Sequence, residues 1–122
     1  MEGLRHGYLF GIAVDSGNPD VVIVSASNGP SRSYVVENAE TFVYRKDADS
    51  NGWKTITDGL PRPRGTTITI PTPSLKDAGQ FCAVNNHGLF VSNDSGVSWR
   101  ELDVPWPKEY HSQIPWTLAI IE

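Results

Sequence analysis

The order of short apolar runs is what most restricts this chain: four runs, each closed by a polar turn, occur once and then recur in the same order. Tyr8–Val14 alternates large apolar residues at Phe10, Ile12 and Val14, and residues 21–26 follow after a polar turn, the pattern of paired strands. Residues 41–44 and 53–56 complete the first set, with Asn51-Gly52 in the turn between them. The second set comprises residues 67–70, 80–84, 89–92 and 99–102, with Asn86, Gly88, Asp94 and Gly96 in its turns. Trp53 and Trp99 stand 46 positions apart and Phe42 and Phe90 stand 48 apart. Sheet-forming repeats recur at about 40 to 50 residues.

No helical period is sustained, and Pro61, Pro63, Pro71, Pro73, Pro105, Pro107 and Pro115 punctuate the connections, so the chain reads as all-β. A short helix over residues 75–78 would not organise such a fold. Trp116, Leu118 and Ile120 each follow Phe10, Ile12 and Val14 by 106 positions. Residues 7–57 and 66–103 therefore read as two units, and residues 112–122 as the first strand of a third. Glu2-Gly3-Leu4-Arg5 resembles Asp58-Gly59-Leu60-Pro61, so both ends read as cut from a longer series. A small β-sandwich is the competing arrangement of the same strands.

Composition narrows the partners. A net charge of −4 provides no global basic field for nucleic acid or anionic lipid, and the longest apolar stretches fall far short of a membrane span. Cys82 is the single cysteine, so no intrachain disulfide and no thiolate zinc site forms from this chain, and a packed thiol in a strand is expected. His6, His87 and His111 show no metal-ligand spacing, and no cofactor motif is present.

Ser92-Asn93-Asp94-Ser95-Gly96-Val97-Ser98-Trp99 fits the pattern Ser/Thr-x-Asp-x-Gly-x-Ser/Thr-Trp/Phe, the Asp-box. In this segment the chain resembles the bacterial neuraminidase repeat family, whose blades build β-propellers and in which the motif forms the turn between a blade's third and fourth strands. The chemistry of these residues suits such a turn. Asp94 accepts backbone N–H groups, Gly96 takes positive φ, Trp99 buries its ring, and Ser92 and Ser98 add local hydrogen bonds. The first unit holds a degenerate version, in which only Asp49, Gly52 and Trp53 are carried over as turn residues.

The resemblance implies a partial β-propeller of Asp-box blades, completed by oligomerisation or by further chain. Sialidases of this family use an arginine triad with acidic and tyrosine partners, and no motif here places Arg5, Arg32, Arg45, Arg62, Arg64 or Arg100 in such a triad. Other Asp-box enzymes cleave polysaccharides with two separated carboxylates, and Asp15, after the first strand, is one candidate against its alternative as a strand-ending turn residue. Ligand contact is expected at Arg32 and Tyr34, in the polar insert 27–34, and at Trp106 and Tyr110, in a proline-rich connection. The expected function is a noncatalytic binding or scaffold module, with a carbohydrate ligand slightly favoured over a protein. The alternatives are a subunit or fragment of a polysaccharide-cleaving glycoside hydrolase, and a protein-binding assembly factor. Two blades leave apolar flanks, so self-association or contact with the remaining blades of a larger chain is expected.

Overall fold

The computed structural model describes residues 8–28, 39–49, 52–67 and 69–103. The expected third-unit strand at residues 112–122 and the segment at residues 2–5 lie outside them. Among the described residues, eight strands form two four-stranded antiparallel sheets. In the first, β1 (Tyr8–Val14), β2 (Val22–Ser27), β3 (Thr41–Lys46) and β4 (Lys54–Ile56) pair in chain order; in the second, β5 (Ile70–Pro73), β6 (Phe81–Asn85), β7 (Gly88–Ser92) and β8 (Arg100–Glu101) do the same. Residues 75–78 form bends and a turn instead of a helix, with Leu75 exposed.

Pairing register defines the repeat. Lys54 lies opposite Arg45 in the first outer hairpin and Arg100 opposite Val91 in the second, so a shift of 46 residues carries one hairpin onto the other. It carries Trp53 onto Trp99 and Tyr44 onto Phe90, which corrects the expected match of Phe42 with Phe90. In the inner hairpins Ile12 faces Val24 and Pro71 faces Ala83, a shift of 59. The difference is the first unit's longer β2–β3 connection: Val24 and its partner Tyr44 are 20 positions apart, Ala83 and its partner Phe90 only 7.

Strand alternation sorts the first sheet into two faces. Ala13, Ile23 and Val43 pack with Phe81, Ala83, Phe90 and Trp99 of the second sheet in one buried cluster, against which Ile56 and Leu60 also pack. Burying each large side chain of this kind contributes about 1.5–3 kcal/mol. Under the repeat shifts, Phe81, Ala83, Phe90 and Trp99 correspond to Val22, Val24, Tyr44 and Trp53, and these lie on the other face of the first sheet, where Val24, Ala26 and Tyr44 form a second cluster. Unlike faces therefore meet, and the two units stack head to tail.

The junction is tightest at β1 and β5. There the small residues Gly11 and Ala13 face inward, Gly11 sits against Pro71, and the Ser25 hydroxyl donates to the Thr69 carbonyl. The larger Ile12 and Val14 point outward, 68% and 40% exposed, with Leu9 at 43%. β5 begins at Ile70, where the sequence pattern places its end. Pro71 and Pro73 are accommodated because, among the described strands, β5 pairs only with β6 and so offers an edge for residues without an N–H.

Candidate functional site

The turns β1–β2, β3–β4, β5–β6 and β7–β8 lie at one end of the two sheets, because every strand pair is an antiparallel neighbour. The Ser92–Trp99 segment occupies the last of them. Ser92 is buried at the end of β7; its Oγ accepts the Gly96 N–H at 2.9 Å and donates to Asp94 Oδ1 at 2.8 Å. Asp94 Oδ1 also accepts the Ser98 N–H at 2.9 Å, and Oδ2 accepts the Ser98 hydroxyl. The chain then turns through Ser95 and Gly96, at φ 64° and 84°. The Gly96 carbonyl accepts the Trp99 indole N–H at 3.1 Å, which fixes the ring in the core. A side chain at Gly96 would run into Ile23 of the first sheet. All five box residues converge on this turn.

Partial burial raises the Asp94 carboxyl's pKa, but hydrogen bonds from the Ser98 hydroxyl and amide, the Ser92 hydroxyl and its own amide outweigh that effect and hold it below the ordinary carboxylate value. The carboxylate is thus engaged by the turn's own donors. Beside it a surface pocket of about 220 Å³ is lined by Val91, Asn93, Asp94, Ser98, Trp99 and Arg100.

The corresponding turn of the first unit is built differently. Asp47, not Asp49, supplies the carboxylate: its Oδ1 accepts the Asp49 N–H at 3.0 Å and its Oδ2 pairs with the Arg45 guanidinium at 2.6 Å. Asp49 is exposed, Gly52 is half-buried in a bend, and Trp53 packs against the second cluster with Lys46 Nζ 6.0 Å from its ring centroid. A groove of about 580 Å³ lies there, lined by Ile12, Pro19, Asp20, Val22, Lys46, Asp47, Ala48 and Trp53.

A polar relay joins the units at this end. Asp15, buried to 6% exposure, accepts the N–H of Gly17 at 2.9 Å and of Gly79 at 3.0 Å on the same Oδ1. The Gly79 carbonyl accepts the Ser95 N–H at 2.9 Å, and the Ser95 carbonyl accepts Arg45 Nε–H at 2.7 Å. Asp15 is therefore a turn and junction residue. Sequence reasoning missed Arg45, Asp47 and Gly79. The available signal for Arg45 was a charged residue in phase with Thr41 and Val43 on the inward side of β3.

Arg32, Tyr34, Trp106, Tyr110, His6 and His111 lie outside the described residues. His87 is half-buried beyond β6, its N–H bonded to Asn85 Oδ1 at 2.8 Å, and Cys82 is half-buried in β6. Among the described residues no three His, Cys, Asp or Glu side chains gather as a metal-binding group, and no helix is long and apolar enough to cross a membrane. No protein-family model matches this sequence, and no curated protein or solved structure is significantly similar to it.

Proposed function

We propose that this chain is a noncatalytic scaffold and binding module built from Asp-box propeller blades that stack head to tail, each unit presenting its outward face to a further unit. The meeting of unlike faces carries this reading. A repeat in which face A of one unit packs on face B of the next leaves one face A and one face B to be covered, and a rotation that closes makes a ring. In the second unit Phe81 and Trp99 receive Ile23. Their counterparts in the first unit, Val22 and Trp53, line the large groove beside exposed Ile12. A neighbouring unit, from a second copy or from further chain, fits that place.

A second reading takes the same groove as a glycan site. Its volume falls in the range of small-ligand pockets, about 300–1,000 Å³, and it sets the Trp53 ring beside Asp20, Asp47 and Lys46, an aromatic face with polar rims. Polysaccharide cleavage draws less support, because Asp15 is buried and its Oδ1 is engaged by two amides, and Asp94 is engaged by its own turn. A glycan array combined with light scattering separates the readings. The scaffold reading expects association without glycan capture. Saturable glycan binding by a single chain, abolished by Trp53→Ala, would instead establish the second.

A further inference from the structure

At the end of the junction opposite the Asp-box, the sheets meet through polar side chains. Ser25, Ser27, Thr41, Thr67, Thr69, Asn85 and Asn86 are each 5% exposed or less. Most are bonded: Asn86 Oδ1 accepts the Thr67 N–H at 3.0 Å, Asn85 Nδ2 donates to Thr69 Oγ1 at 3.3 Å, and Ser25 donates to the Thr69 carbonyl. Two hydroxyls differ. Ser27 Oγ and Thr41 Oγ1 are fully buried and have no hydrogen-bond partner among the described residues. They are direct cross-strand partners in the β2–β3 ladder, so they sit on one face as neighbours.

Leaving a buried hydroxyl unpaired costs roughly as much as a lost hydrogen bond, and two adjacent ones are rare in a native interior. Thr41 also lines a cavity with Thr66, Thr69, Asn85 and the apolar Val43, Ile56 and Leu60. The cavity offers about 10 Å³ to the centre of a water molecule. Room for one water needs about 10–15 Å³ on this measure, together with two to four polar partners. Thr41, Thr69 and Asn85 supply them from both sheets.

We infer that this cavity binds one structural water that bridges Thr41 Oγ1 of the first unit to the Asn85–Thr69 pair of the second. Its ligand class is set by size and chemistry: the space is too small for an organic group, and the donors and acceptors are neutral. The water gives the polar end of the junction a role equivalent to that of the Asp15–Gly79 bond at the other end. Ser27, one strand over, is the further hydroxyl within the same polar group.

A high-resolution crystal structure of the full chain and the melting behaviour of two variants test this. Expected are density for one ordered water in hydrogen-bond contact with Thr41 Oγ1, and a melting midpoint lowered by about 4 °C or more in Thr41→Val, which keeps the shape but removes the hydroxyl. Thr41→Ser, which retains the hydroxyl, keeps the water. Either a dry cavity in the parent structure, or a Thr41→Val variant at least as stable as the parent, would overturn the inference, since removing an unsatisfied hydroxyl is neutral or favourable.

Discussion

Ser92 carries three hydrogen bonds through one buried oxygen, accepting from the Gly96 and Asp94 amides and donating to the Asp94 carboxylate. Ser92→Ala leaves the Gly96 N–H without that acceptor, and the expected loss is about 1–2 kcal/mol, read as a lower denaturant midpoint at unchanged slope. Asp94 gives a pH signature. Its carboxyl is held below the ordinary value in the folded protein, so the fold favours the ionised form. That contribution is complete above the unfolded-state value of about 3.9 and is lost as pH falls through the lowered folded value. Asp94→Asn therefore loses stability near neutrality, while the gap between variant and parent closes as the solution is acidified below about pH 4; a gap that widens in acid would contradict this. Gly59 and Gly65 make a matched pair, at φ 81° and 85°. A Cβ at Gly59 would overlap the Trp99 carbonyl, whereas one at Gly65 meets open space. Gly65→Ala should cost only the backbone penalty of about 1–2 kcal/mol, and Gly59→Ala should exceed it clearly in the same chemical-denaturation assay. The residues of the Ser92–Trp99 turn were legible in the sequence because their bonds are local. The Gly59–Trp99 approach was not, since forty positions separate the two.

Among the elements, strand existence and order followed from alternation between apolar and polar residues, and turns from their Gly, Asn and Asp content. Two elements resisted for physical reasons. Pro71 and Pro73 read as punctuation, yet β5 contains both, because among the described strands its outer side has no ladder to interrupt. In β1 the large residues suggested the buried face, whereas close approach to β5 selects Gly11 and Ala13 for the junction and turns Ile12 outward. The Asp15–Gly79 bond spans 64 positions and ties the β1–β2 turn to the β5–β6 turn, a link no local pattern encodes. Since both amides reach the same oxygen, Asp15→Asn retains the acceptor. Asp15→Ala removes it and leaves both amides without it. The expected order is a loss of about 1–3 kcal/mol for alanine and a smaller one for asparagine, measured by thermal unfolding; equal losses would show that charge, not acceptance, is what the site needs.

For the whole molecule, the repeat shifts place like residues on like faces, and the packing then joins unlike faces. The sequence pointed to apolar flanks on each unit but not to which faces meet, and its spacing paired Phe90 with Phe42. Only the ladder register identifies Tyr44 as its counterpart and makes the outer hairpin period uniform at 46. The consequence concerns the outward face of the first unit, where Leu9, Ile12 and Val14 are exposed beside the Trp53 groove. Light scattering of the purified chain, compared with its Ile12→Glu variant, tests this most directly. The account predicts a parent mass of two or more times 13.4 kDa, falling to a single chain in the variant with little change in β-sheet content. A parent that remains a monodisperse, folded single chain at high concentration would contradict it.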